Sequence, residues 1–154
     1  MNNIRCICEM TPLNGEDNAF FGSRGSYYLF YKVSDNYFWP TSKCETIQGT
    51  LVVGHKYLVD WNKGTLTVTG DDGVYQKGVR SSTANNTQNL YIFTFNPKDT
   101  RTKEAKIHWF KIYIDDVLVR DFVPATMGGR PGLYDKINHK MYFNANSSGN
   151  FTVE

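Results

Sequence analysis

The sequence is poor in several things that would point to a membrane, to nucleic acid or to a metal. No stretch approaches the ~20 apolar residues a membrane-spanning helix needs, so no membrane insertion is expected. The first residues, "MNNIRCICEMTP", lack the basic-then-apolar layout of a secretory signal, which predicts synthesis in a cytoplasm without export. Charge of either sign is scarce in excess: 17 basic residues are dispersed among 15 acidic ones, for a net +2. Nucleic-acid binders carry clustered basic stripes, so nucleic acid is not an expected partner. Cysteine is limited to three residues, an odd number. Cys6 and Cys8 stand two apart, which puts them on the same side of a strand. That spacing suits neither a disulfide nor a zinc knuckle, and predicts buried free thiols. The sequons at Asn85, Asn146 and Asn150 read as Asn-rich turns in a chain without an export signal.

What is abundant is aromatic: 15 % of the chain, with ten Tyr and ten Phe. Together with Thr and little Ala or Leu, this favours strands, while recurring Gly and Asn supply turns. No segment has a helical period. Residues 3–9 alternate, with Ile4, Cys6 and Cys8 on one side and Arg5, Ile7 and Glu9 on the other. Residues 19–33 read as two strands around 22–26, residues 50–60 and 64–69 as strands separated by "WNKG", and "GDDG" (70–73) as a hairpin turn before "VYQKGV". Residues 89–95 alternate again and 96–105 form a polar loop. "GLYDKINHKMYF" and "GNFTV" make a last pair. Short strands with turn signals at near-regular spacing predict an all-β sandwich or barrel. At 154 residues, without repeats or a linker, residues 1–154 are expected to form one domain.

The stretch "KIHWFKIYIDDVLVRDFVP" (106–124) is a hairpin about Asp115 and Asp116, since Asp tolerates the left-handed backbone of a type I′ turn. A strict two-residue turn pairs Ile114 with Val117, Ile112 with Val119 and Phe110 with Asp121 on a core face. The other face then pairs Tyr113 with Leu118, Lys111 with Arg120 and Trp109 with Phe122. Like charges directly opposite are destabilising. The register therefore predicts an anionic group nearby: an internal Asp or Glu, with the long stems packed on the rings, or a ligand.

These residues carry a resemblance. "FKIYIDDVLVRDFVP" followed by "GLYDKINHKMYFNANSSGNFTV" resembles the C-terminal half of concanavalin A-like, laminin-G-like jelly-roll domains, of the type found in bacteriophage structural and tail proteins and gut-bacterial surface proteins. "FFGSRGS" (20–26) and "YLVDWNKGTLTVTG" (57–70) are similar to further segments of that family. The resemblance implies an antiparallel two-sheet jelly-roll sandwich. It implies a strand ahead of residues 3–9 that the chain starts too late to include, leaving an unpaired edge beside them. Exposed edges invite another chain, so other protein chains or a homo-oligomer are expected partners. Trp109 stands where the family often has a smaller residue.

The family includes glucanases, whose retaining chemistry needs two nearby carboxylates. Their Glu-x-Asp-x-x-Glu pattern is missing, there is no Gly-x-Ser-x-Gly elbow near His55, His108 or His139, and "GSRGS" lacks the Lys and helix of a phosphate loop. No enzyme activity is expected. No cofactor is predicted either. Calcium, common in related lectin domains, is the alternative, with candidates in 14–18, Asp35 and 70–73, none of which has fixed ligand spacing. Sugar binding fits better, because it needs an exposed aromatic plane beside polar and cationic groups. Two clusters qualify: Tyr37 and Trp39 in the apparent loop 34–40, and Trp109, Lys111, Tyr113 and Arg120 on the outer face of the hairpin. The bland reading of each Trp is burial. The expectation is a lectin-like or adhesin-like component of a phage virion (fibre, tail or capsid decoration) that recognises surface glycans. The alternative is a structural subunit using the jelly roll for protein–protein contacts.

Overall fold

The computed structural model describes residues 4–14, 18–23, 27–32, 37–39, 47–48, 51–62, 65–70, 73–79, 91–92, 104–144 and 151–152. Among them the protein is all-β with no helix. The strands are β1 (Ile4–Pro12), β2 (Asn18–Ser23), β3 (Tyr27–Lys32), β4 (Tyr37–Trp39), β5 (Ile47–Gln48), β6 (Tyr57–Asn62) and β7 (Thr65–Gly70). They continue with β8 (Gly73–Val79), β9 (Tyr91–Ile92), β10 (Ala105–Ile114), β11 (Val117–Met127), β12 (Arg130–Asp135) and β13 (Lys140–Phe143). One sheet runs β13-β12-β11-β10-β1-β6-β7-β8 and a second runs β5-β4-β3-β2-β9. The strand pairs described are antiparallel.

Alternation along β1 decides the core. Cys6, Cys8 and Met10 point inward beside Val59 and Trp61 of β6 and Phe110 of β10, and all are buried. Leu66 and Val68 extend this layer on β7, and Phe122 and Leu133 on β11 and β12. Phe21 of β2 meets Phe110 edge-on, ring centroids 5.4 Å apart, so one aromatic contact joins the two sheets. Burying a side chain of this size stabilises the fold by about 1.5–3 kcal/mol. Tyr57 is buried too, and its hydroxyl accepts the Val52 amide at 2.8 Å, which offsets its desolvation.

The turns follow local chemistry. Asp115 and Asp116 have φ of 49° and 65°, the left-handed pair the sequence predicts for the β10–β11 turn. Gly128 and Gly129, with φ of 57° and 75°, close the next hairpin. Pairing of β11 with β10 ends at Phe122, two residues before Pro124, whose nitrogen has no hydrogen to give a ladder.

Several expectations are corrected. β1 has neighbours on both sides, β10 and β6, so the unpaired edge expected beside it does not exist; the large sheet ends in β13 and β8. Residues 51–56 are not part of the strand predicted over 50–60, because Gly54 turns the chain with φ 84° and its amide bonds to Pro12 O at 2.9 Å. "YFW" (37–39) is strand β4 rather than loop. "GLYDKINHKMYF" is itself the β12–β13 hairpin, and Phe151 and Thr152 lie outside any strand.

Gly132 is required by close approach. A Cβ there would lie 2.5 Å from the backbone oxygen of Tyr142 on β13, an atom that cannot move without breaking the ladder. Gly132→Ala is therefore expected to destabilise the protein by about 1–3 kcal/mol, the range for overpacking, read as a lower urea midpoint. An unchanged midpoint would show that β13 adjusts freely. The two core thiols give a second check. Burial pushes Cys6 up to about 12 and Cys8 higher still. In a Cys44→Ser background, neither reacts with a thiol reagent at pH 8 until the protein is unfolded.

Candidate functional site

The β10–β11 hairpin departs from the strict register in one place, and that departure reorganises the predicted site. Ile114 faces Val117 and Tyr113 faces Leu118, as the turn dictates. A β-bulge then inserts one residue into β11, so Ile112 faces Arg120, Lys111 faces Asp121 and Phe110 faces Phe122. The predicted pairs Lys111–Arg120, Trp109–Phe122, Phe110–Asp121 and Ile112–Val119 do not form. Because side chains alternate with a period of two, one extra residue exchanges the faces. Arg120 moves to the inward side and Asp121 to the outer side.

Arg120 has a partner there. Its Nε lies 3.5 Å from Oδ2 of Asp135, which is fully buried, and its NH1 donates to Val119 O at 2.7 Å. Asp135 also accepts the amides of Asp121 and Ile137, each at 3.1 Å, and the Asn138 side-chain amide. Burial by itself would push this carboxyl up. The hydrogen bonds from Asn138, Asp121 and Ile137, with Arg120 beside them, outweigh it and hold the group below the usual carboxylate range. The carboxylate thus ties β11, β12 and the β12–β13 turn together. The internal acid foreseen near Arg120 is present, but it serves Arg120 alone and not Lys111.

The outer face of β6, β1 and β10 is the arrangement that remains. Cross-strand order places Asp60, Ile7, Lys111 and Asp121 in one row, with Asn62, Arg5, Tyr113 and Leu118 in the next and Leu58, Glu9 and Trp109 in the third. Arg5 grips Asp60 with a two-point hydrogen bond, Nε to Oδ1 at 2.9 Å and NH2 to Oδ2 at 2.6 Å. The Asp60 hydrogen bond raises the Arg5 pKa further. The same guanidinium lies 5.5 Å from the Tyr113 ring centre, and the Lys111 ammonium lies 5.3 Å from that of Trp109. Trp109, Lys111 and Tyr113 are each half-buried. A second bulge, opposite Glu9 and Met10, leaves His108 as the extra residue of β10. His108 Nε2 and the Thr11 hydroxyl share a hydrogen bond of 3.0 Å. Burial and then Lys56 lower the His108 pKa, so the ring is neutral at pH 7. Lys56 pairs with Glu9 at 3.4 Å.

The six predicted site residues thus fall into three places. Trp109, Lys111 and Tyr113 are together on the outer face of β10. Arg120 is on the opposite face, bound to Asp135. Tyr37 and Trp39 are on β4 of the other sheet, and their side chains lie outside what is described. Arg5, Asp60, Glu9 and His108 were missed as members of the site. The alternation of "NIRCICE" already set Arg5 and Glu9 on the outer side of β1, but nothing local says that β1 lies beside β10. The carboxylates of the calcium candidates, Glu16, Asp17, Asp35, Asp71 and Asp72, lie outside the described residues. Among the described residues no group of three or more His, Cys, Asp or Glu is placed to hold a metal. Comparison of the chain with protein-family models, curated proteins and solved structures finds no match.

The Asp135 carboxyl titrates below its unfolded value of about 3.9. Its contribution to stability is complete above that value and is lost as the pH falls through the folded one. Asp135→Asn is expected to lower stability at pH 7 by about 2–3 kcal/mol, the scale of hydrogen bonds to a charged group. It should also flatten the stability loss of the wild type below about pH 4. Urea unfolding at pH 7 and pH 3.5 checks both; equal stabilities at pH 7 would mean that the carboxylate ties nothing together.

Proposed function

We propose that the protein is a non-catalytic, lectin-like binding module of the concanavalin A-like jelly-roll type, part of a phage virion, that recognises surface glycans on the outer face of β10. The observation that carries this reading is the placement of two half-buried aromatic rings, Trp109 and Tyr113, on one face with Lys111 between them and the Arg5–Asp60 pair alongside. A sugar ring offers an apolar C–H face and a rim of hydroxyls. Aromatic planes take the first, and ammonium, guanidinium and carboxylate groups take the second. Support for the fold type comes from the two antiparallel sheets, from the Asp115–Asp116 turn at the family's turn position, and from the roles of Gly132 and Asp135 in the "GLYD" segment. The missing Glu-x-Asp-x-x-Glu pattern favours binding over hydrolysis.

A second reading, a structural virion subunit without glycan affinity, draws on exposed apolar side chains of β11, β13 and the turn between β12 and β13: Val117, Met127, Ile137 and Tyr142. A glycan array separates the two. The glycan reading expects binding by the wild type that Trp109→Ala reduces at least about tenfold, the scale of one stacked ring, with Trp39→Ala testing the β4 cluster in parallel. No bound glycan, together with a stable oligomer by light scattering, would favour the structural subunit.

A further inference from the structure

The outer face carries one more cation than its carboxylates pair with. Each carboxylate there already has a cation: Asp60 has Arg5 at 2.6 Å, Glu9 has Lys56 at 3.4 Å, and Asp121 has Lys136 at 3.0 Å. Asp121 stands directly across from Lys111 in the ladder; its Oδ2 is held by Lys136, and its buried Oδ1 has no hydrogen-bond partner, Lys111 included. Among the described residues Lys111 has no carboxylate in ion-pair contact; its partner is the Trp109 ring, 5.3 Å from the ammonium. Its other cross-strand neighbour, Ile7, is apolar. A lysine ammonium carries three N–H donors, and the face of one indole does not use them all. Of the four cations Arg5, Lys56, Lys136 and Lys111, it is the one with no carboxylate within ion-pair distance among the described residues.

We infer that the glycan taken by this face is acidic, with a carboxylate or phosphate on the saccharide meeting Lys111 while the ring it belongs to stacks on Trp109. The inference rests on the glycan reading above and adds the charge. Arg5 is not the anion's partner, because both of its contacts with Asp60 would have to be given up. Lys111 has no ion pair to give up, only its contact with the Trp109 ring.

The test uses matched pairs that differ in charge alone: oligogalacturonates against their methyl esters, and a glycerol-phosphate polymer substituted with sugar against the same sugar without phosphate. Wild type is expected to bind at least one acidic member about tenfold or more tighter than its neutral counterpart, the scale of one charge-assisted hydrogen bond. The preference should shrink as salt is raised. Which pair shows it identifies carboxylate or phosphate as the anion. Lys111→Gln should abolish the preference and Lys111→Arg retain it, both with near-wild-type melting temperatures because the side chain is half-exposed. Neutral members bound as tightly as acidic ones, or a preference that survives Lys111→Gln, would overturn the acidic assignment and leave glycan binding standing. No binding to any sugar, charged or neutral, would overturn both.

Discussion

A buried carboxylate organises the C-terminal part of the large sheet. Asp135 has no exposed surface, and an unpaired charge there would cost several kcal/mol. It is tolerated because four donors converge on it: two amides, the Asn138 side chain and Arg120. These come from β11, from the β12–β13 turn and from beside the bulge. Satisfying Asp135 therefore fixes how β11 lies on β12 and which way Arg120 points. The β-bulge in β11 is the geometric means. Without it, alternation would turn Arg120 outward, leaving Asp135 a donor short and setting two cations face to face.

The same bulge makes the outer face what it is. With Arg120 withdrawn, Lys111 faces Asp121, itself paired with Lys136, and rests against Trp109. One polar network on the inward side serves architecture. The network on the outward side, built on Arg5, Asp60, Lys111, Tyr113 and Trp109, is half-exposed. A surface ion pair contributes little to stability, so the outer network is weakly explained by folding alone. The two-point Arg5–Asp60 pair has the geometry expected to position neighbouring rings.

How much of this was legible from the residues depended on the range of the interaction. The alternation of Ile4, Cys6 and Cys8 and the Asp115–Asp116 turn were readable because each rests on a local rule: the two-residue period of a strand, and the tolerance of Asp for positive φ. The register beyond Tyr113 was not readable. The bulge is set by Arg120 meeting Asp135, fifteen residues later and on another strand. The strand predicted over 50–60 failed in its first half because the apolar run "LVVG" bends at Gly54, whose φ of 84° sequence alone does not announce. Residues 37–39 read as loop because a three-residue strand beside Pro40 carries too few positions to show a period. Trp109, Lys111 and Tyr113 were found together because they alternate on one strand. Arg5 and Asp60 join them only through the sheet order β10-β1-β6, which no local pattern encodes.

The positions of Arg120 and Lys111 both follow from the register of one hairpin, and cross-strand backbone NOEs in solution read that register directly. They should connect Lys111 with Asp121 and Phe110 with Phe122, with Val119 as the extra residue of β11. NOEs joining Lys111 to Arg120 and Trp109 to Phe122 would contradict it. In that case Arg120 would return to the outer face, and both the role of Asp135 and the unneutralised charge of Lys111 would have to be abandoned.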